Sequence, residues 1–478
     1  NVRLLVSKGT FKGSSISSFI ANNAAAQLGS EIFMDCKSLK SFSTWRTLSM
    51  IDEAAFKNSG VEDLDISDSN GITFGKESFF GTPVKEITAT HAGGSYIFNE
   101  NSFGNTYNLQ KVDFSAWSQG GLVISGAFQN SSIKSFTGIK NNQGAVTFAP
   151  SAFKNCAELK TVQSYMANLS GPSIFENCYS LETLDLTTGL SNNKNVTALY
   201  DRAFYNCKNL ATLDLSNITT LKDQVFFNCK NLENVDLSSI MSVGKECFYK
   251  CKKTKFTGTN KITQAGVNAF SNCAKVDNYD FSSLTAASVY GIFDDTLDSD
   301  GYVIVSGSKF SPDYSKSSKD GSKADIFKKT AIVFDTTKDG VPSQISSMCK
   351  NNTNGYYFTK DTYVTSITAE NKDSNEDCNT EDGIKQHIKV TLTMLDGRKK
   401  ELNPSDYEIY DIGYDGVNKI ITGKIAYNVK SDFDSKSDLR GYGKGVYKIM
   451  KTSFSVNSSG IIQEVTNISI SPEHCSLN

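Results

Sequence analysis

Apolar residues recur along this chain with two different periods. Through the first three hundred residues a phenylalanine returns at intervals of little more than twenty positions: Phe11, Phe33, Phe56, Phe79, Phe103, Phe128, Phe153, Phe175, Phe204, Phe226, Phe248, Phe270 and Phe293. From Phe153 to Phe270 the steps are 22, 29, 22, 22 and 22. After each anchor comes a second phrase, clearest in Leu181-Glu182-Thr183-Leu184-Asp185-Leu186, Leu210-Ala211-Thr212-Leu213-Asp214-Leu215 and Leu232-Glu233-Asn234-Val235-Asp236-Leu237. Leucine, two variable residues, then apolar-polar-apolar predicts a short strand with one buried face. The next apolar pair, Ile218 with Leu221 or Ile240 with Val243, turns the chain back toward the following phenylalanine. One such coil cannot bury its own apolar face, so neighbours must stack on it. The pattern predicts a solenoid of about twelve coils whose short parallel strands repeat at ~4.8 Å.

Beyond Tyr363 the period becomes two. Thr365–Ala369, Ile388–Met394, Tyr407–Tyr410, Ile420–Val429 and Gly445–Val456 alternate apolar and polar positions, with a turn at Asp396-Gly397. Several such strands in about 100 residues predict an all-β sandwich. The expected organisation is a solenoid over 1–310, then an end cap and linker over 311–362 with Thr330–Phe334 as a last strand. A β-sandwich over 363–465 follows, and then 466–478, either a last strand or the start of a truncated further module.

The repeated phrase is specific enough to compare with known families. Ala152-Phe153-Lys154-Asn155-Cys156, Ala203-Phe204-Tyr205-Asn206-Cys207 and Val225-Phe226-Phe227-Asn228-Cys229, each followed by the leucine phrase, resemble the BspA-like leucine-rich repeat of secreted and surface proteins. The match weakens upstream, where Ser59 replaces the cysteine and the coils at Phe79 and Phe128 lack one. After Phe293, Leu297-Asp298-Ser299-Asp300-Gly301 stands in place of the strand phrase. The run from Val390 through Asp396-Gly397-Arg398 to Tyr407 is similar to bacterial immunoglobulin-like modules. The resemblance implies adhesion or ligand binding rather than catalysis.

Composition narrows this further. Forty-nine basic residues face 51 acidic ones with no block of like charge, which gives no footprint for nucleic acid. No apolar run approaches the ~20 residues that span a bilayer, so no membrane insertion by this segment is expected. Three scattered histidines (His91, His387, His474) and one close cysteine pair, Cys247 and Cys251, offer no zinc spacing. No metalloprotease helix motif, nucleophile elbow or Walker loop is present. No cofactor or metal is expected.

The candidate sites are columns, one residue per coil. Seven cysteines (36, 156, 178, 207, 229, 251 and 273) stand three positions after their phenylalanine, and read as small buried residues of a crowded turn or as a disulfide or metal ladder. Cys349, Cys378 and Cys475 could supply one disulfide to the β module, without a pairing that spacing alone can choose. Asn155, Asn177, Asn206, Asn228 and Asn272 read as a structural amide column, donating to one coil and accepting from the next. Asp185, Asp214 and Asp236 hold one strand position, with Lys208, Lys230 and Lys252 as a matching basic column. The carboxylates suit a basic ligand or calcium, or are simply an exposed charged edge. Tyr205, Phe227 and Tyr249 follow the anchor in three consecutive coils. They form an outward stripe suited to a sugar or protein partner, or else a core layer. A polar insertion, Ser191–Asn195, lengthens one coil on what is either a binding loop or a neutral one.

The expected function is therefore a monomeric, extracellular or cell-surface adhesion or recognition protein. It would bind a protein or glycan on a host or neighbouring cell through the solenoid face. A passive stalk is the alternative, and a carbohydrate-active enzyme with distant carboxylates a third.

Overall fold

The computed structural model describes residues 7–20, 27–43, 48–67, 69–89, 94–117, 120–139, 144–165, 167–185, 196–273, 279–284, 302–305, 331–335, 356–372, 380–430 and 446–457. The chain divides into two compact units, one of residues 1–297 with 311–326 and one of residues 298–310 with 327–478.

In the first unit most coils contribute to two parallel ladders; the coil of Phe204 is an exception, since its phrase Leu210–Leu215, expected as a strand, forms none. The leucine phrase forms one, running through Asp63–Asp65, Glu86–Thr88, Lys111–Asp113, Ser135–Thr137, Thr161–Gln163 and Thr183–Asp185 in chain order. The central residue of each strand lies in register with its neighbours, as in Phe136 opposite Val112 and Val162. The second ladder runs through Gln27–Leu28, Met50–Ile51, Thr73–Phe74, Tyr96–Phe98, Gly120–Ile124, Gly144–Phe148 and Ala167–Leu169. After the 29-residue step it resumes as Ala198–Leu199, Thr220–Leu221, Ser242–Val243 and Gln264–Ala265. Parallel neighbours need a long return path, and one full coil provides it.

The phenylalanines close the coil. Twelve of them, Phe11 to Phe270, stack ring on ring in sequence, with centroids 4.7–5.8 Å apart. Strand aromatics meet this column edge-on, among them Phe42, Phe74, Phe136, Phe148 and Phe256. This axial core is the solenoid the spacing predicts.

The turn around each anchor needs a left-handed residue two positions before and two positions after the ring. In the coil of Phe153 these are Ser151 (φ 59°) and Asn155 (φ 62°); in that of Phe226 they are Gln224 (φ 56°) and Asn228 (φ 60°). The alternation pairs the backbone completely. In the coil of Phe79, Glu77, Phe79 and Gly81 donate their N–H groups to the next coil, while Ser78, Phe80 and Thr82 donate within their own turn. No buried amide is orphaned there, which is what a tight turn requires.

The second unit has two antiparallel three-stranded sheets. One holds Val364–Asn371, Ile388–Met394 and Lys399–Glu401; the other holds Glu408–Asp415, Ile420–Lys430 and Val446–Asn457. Val390, Leu392, Ile409, Ile421, Ile425 and Phe454 fill a common core, as a sandwich demands. A short helix, Glu381–His387, capped by the Thr380 hydroxyl, leads into Ile388.

The stretch 311–362, expected to be irregular with one strand, holds two, Ala331–Phe334 and Tyr356–Thr359, which run parallel with Tyr302–Val305 from the end of the span expected as solenoid. Their Ile304, Val333 and Phe358 join the core of the second unit. Four-residue apolar runs dispersed among Ser, Lys and Asp are too short to stand out as a period. Phe293, Ser191–Asn195, Leu297–Gly301, Cys349, Cys378, Cys475 and the segment 466–478 lie outside the described residues.

Candidate binding face of the coil turns

The turn that carries each anchor also carries four of the sequence columns, and the structure gives each a different environment. The cysteine column points inward. Each thiol donates to the carbonyl oxygen of the anchor in the preceding coil: Cys36 to Phe11 (2.8 Å), Cys156 to Phe128 (2.9 Å), Cys178 to Phe153 (3.1 Å), Cys207 to Phe175 (3.1 Å), Cys229 to Phe204 (3.1 Å), Cys251 to Phe226 (3.0 Å) and Cys273 to Phe248 (3.0 Å). All seven are free thiols. Burial pushes Cys156 and Cys251 up to about 12, and Cys178, Cys207 and Cys229 likewise upward. Ser14, Ser59, Thr82, Thr106 and Ser131 hold this position in the coils without cysteine. Thr82 and Thr106 donate instead to the carbonyl of their own anchor, and Ser59 Oγ is buried without a partner, so the column as a whole selects a small side chain and the bond to the preceding coil belongs to the cysteines.

The asparagine column is a continuous ladder. Asn155 Nδ2 donates to Asn130 Oδ1 (2.8 Å), Asn177 to Asn155 (2.7 Å), Asn206 to Asn177 (2.8 Å) and Asn228 to Asn206 (2.6 Å). Asparagine suits the left-handed conformation of this position better than other residues with a Cβ. The ladder halts at Lys250, which takes the position with φ 67° and leaves Asn228 Oδ1 buried without a partner.

The aspartates have a turn role. Asp214 Oδ1 accepts from Ser216 N–H and Asp236 Oδ1 from Ser238 N–H, each at 2.9 Å. Asp65, Asp113 and Asp280 make the same bond to Ser67, Ser115 and Ser282. The recurring triplet of aspartate, apolar residue and serine is the sign that an Asx turn links the two ladders. Asp185 ends the strand Thr183–Asp185, where its carbonyl oxygen accepts from Ser164 N–H at 2.9 Å. No ion pair joins Asp214 or Asp236 to the lysine column among the described residues. Nor does any group of three His, Cys, Asp or Glu side chains among them converge to hold a metal ion.

Tyr205, Phe227 and Tyr249 are half-buried and stack on one another, Tyr205 to Phe227 at 4.6 Å and Phe227 to Tyr249 at 5.1 Å. They are therefore a stripe at the surface of the turns. The Arg202 guanidinium sits 4.3 Å from the Tyr205 centroid, and Lys250 Nζ lies 5.3 Å over Tyr249.

Upstream, several coils carry charge pairs with their neighbours on these turns, although Met34, Phe80, Gly104 and Gln129 interrupt the column. Lys12 meets Glu31 (2.6 Å), Lys57 meets Glu77 (2.5 Å), and Glu176 takes both Lys154 (3.3 Å) and Arg202 (2.8 Å). Glu62 lies between Lys40 and Lys85, whose hydrogen bonds lower its carboxyl to about 2. Residues 1–199 carry 15 basic and 16 acidic side chains, while residues 200–277 carry 11 and 7. The surface changes character at Arg202, from self-paired charge to an aromatic stripe with surplus lysine. Among the described residues no helix is long and apolar enough to cross a membrane.

Comparison with known proteins agrees with this architecture. The model of the BspA type leucine rich repeat region matches in six copies, over residues 5–134, 122–195 and 171–277. No curated protein matches the sequence. Among solved structures, the chain is similar to a leucine-rich repeat protein from Bacteroides ovatus (17% identity, TM-score 0.34, covering 60% of this chain and 84% of that one). It is also similar to a leucine rich cell surface protein from Faecalibacterium prausnitzii (16%, TM-score 0.29, 55% and 82%). A third is the pneumococcal vaccine antigen PcpA (14%, TM-score 0.32, 70% and 76%). With the family model covering more than half of its length and the repeat visible coil by coil, the chain belongs to the BspA-type leucine-rich-repeat family.

Proposed function

We propose that this protein is a secreted or cell-surface recognition protein that binds a macromolecule, foremost a protein, on a host or neighbouring cell. The contact face is the turn surface of the coils of Phe204, Phe226 and Phe248. One observation carries the reading: Tyr205, Phe227 and Tyr249 form a rigid aromatic stripe that remains half-exposed. Aromatic residues with little rotamer freedom to lose are typical binding hot spots. Asp214 and Asp236, occupied by their own turn amides, would border the contact rather than make it. Asp185 belongs to the coil before the stripe.

The test is a binding screen of the full chain against immobilised extracellular-matrix proteins and glycans, repeated with Phe227→Ser and Tyr205→Ala. A protein ligand whose affinity drops by about tenfold or more in both variants supports the reading, a loss normal for a central aromatic anchor. Unchanged binding in both variants removes the stripe from the contact. The spacer role has its own support in the upstream coils, where lysine and glutamate neutralise one another from coil to coil. Absence of any ligand for the chain would extend that role to the whole solenoid.

A further inference from the structure

The chemistry of the partner can be taken further, on the premise that the stripe is the contact face. Sugars pack their flat C–H faces on open ring faces, and here none is open. Phe227 lies between Tyr205 and Tyr249. A 4.6 Å stack leaves no room for a guanidinium between rings, so Arg202 covers the other face of Tyr205, and by the same argument Lys250 covers that of Tyr249. What the stripe presents is ring edges, the electropositive rim of each aromatic system.

The same turns carry Lys208, Lys230 and Lys252, four positions after their anchors, with Lys250 and Lys253 beside them. Lys230, Lys250, Lys252 and Lys253 are exposed. Among the described residues none of the five is in an ion pair, in contrast to the lysines of the upstream coils. Lys208 instead lies 4.4 Å over the Tyr179 ring.

The spacing distinguishes between shapes of acidic partner. Ring centroids advance 5.5 and 5.3 Å per coil along the anchors and 4.6 and 5.1 Å along the stripe, and the lysines, one per coil, follow that same coil repeat of about 5 Å. An α-helix returns to the same face every turn, about 5.4 Å along its axis. An extended strand repeats a face every ~6.7 Å and drifts by roughly 2–3 Å over three coils. We infer that the partner presents an amphipathic α-helix laid along the solenoid axis. Its acidic row, spaced i, i+4, i+7, faces Lys208, Lys230 and Lys252, and its adjoining apolar row lies on the edges of Tyr205, Phe227 and Tyr249.

The probe is a designed helical peptide with glutamates in that spacing and leucines on the neighbouring row. A second peptide of the same composition scatters the glutamates around the helix, and a sulfated oligosaccharide serves as a non-peptide polyanion. Each is titrated by fluorescence anisotropy against the full chain and against Lys230→Glu, Lys252→Glu and Phe227→Ser, with thermal melts confirming that the variants fold. The expected result is that the in-phase peptide binds at least about tenfold more tightly than the scattered one. Either lysine reversal should remove that advantage, and added salt should weaken the complex. Equal binding of the two peptides, tighter binding of the oligosaccharide, or indifference to both lysine reversals overturns the helix assignment. If a protein from the screen still depends on Phe227 while the peptides do not differ, recognition by the stripe stands and only the helix falls. If Phe227→Ser affects no ligand, both fall.

Discussion

At the scale of single residues, the columns show which property each position selects. The position three after the anchor is small, and where it is cysteine its thiol adds a second hydrogen bond to an anchor carbonyl that already accepts an amide of its own coil, as Phe204 does from Cys207 N–H. Cys229→Ser keeps the donor and should cost little. Cys229→Val leaves the Phe204 carbonyl oxygen without the thiol bond and should lower stability by about 1–3 kcal/mol, read as the shift in urea midpoint between the two variants. Lys250→Asn should act in the opposite direction. It replaces a strained left-handed lysine and gives Asn228 Oδ1 its missing donor, a gain of about 1 kcal/mol. A midpoint that stays put or falls would show the ladder contributes nothing at its end. The thiols also set an alkaline limit. Burial raises Cys156 and Cys251 from the ordinary 9.0 to about 12, so the folded chain holds these protons more tightly than the unfolded one. Their contribution is whole below pH 9 and declines as pH rises from 9 toward 12. Thermal melts at pH 8, 9 and 10 should show Tm level between the first two and lower at the third.

At the scale of the element, one coil is held by its neighbours through a single file of rings. Phe226 touches Phe204 at 5.5 Å and Phe248 at 5.3 Å, so removing it breaks the file on both sides. Phe226→Ala should cost about 3–5 kcal/mol. Because coupling in a solenoid runs between nearest neighbours, amide exchange should quicken first in the coils of Phe204 and Phe248. Uniform acceleration along the chain would mean the coils fold as one body instead. Much of this element was legible in the sequence. The interval between phenylalanines gives the coil, and the leucine phrase gives the first ladder, because burial imposes its period directly on composition. The left-handed residues flanking each anchor were not legible, since Ser151, Arg202, Gln224 and Glu246 share a backbone angle and no side-chain property. The Asx turns were legible only in part: the aspartates drew notice as a charge column, and the serine two positions on, which explains them, did not.

At the scale of the whole molecule, charge sorts the surface. Pairs such as Lys57 with Glu77 and Lys154 with Glu176 quieten the upstream coils, and over residues 200–277 the 11 basic side chains outnumber the 7 acidic ones that could meet them. The uniform net charge of the chain hides this contrast, and the coil-by-coil register had to be known before it appeared. The aromatic stripe was visible as a column in the sequence. That Arg202 and Lys250 close its ends was not, because the result depends on a 4.6 Å stacking distance between residues 22 positions apart.

The inward thiols bear on how such a chain comes to exist. Once wound, the sulfurs of Cys36, Cys156, Cys178, Cys207, Cys229 and Cys251 are buried and bonded to a carbonyl oxygen, out of reach of oxidants, while Cys273 stays half-buried. Before winding, the same sulfurs are free to cross-link in wrong pairs, and any such bridge would pull a turn out of the stack. In an oxidising compartment, biogenesis would therefore have a required sequence: coiling must outrun oxidation, or a reductant or disulfide-shuffling catalyst must accompany the nascent chain until the last turn has closed.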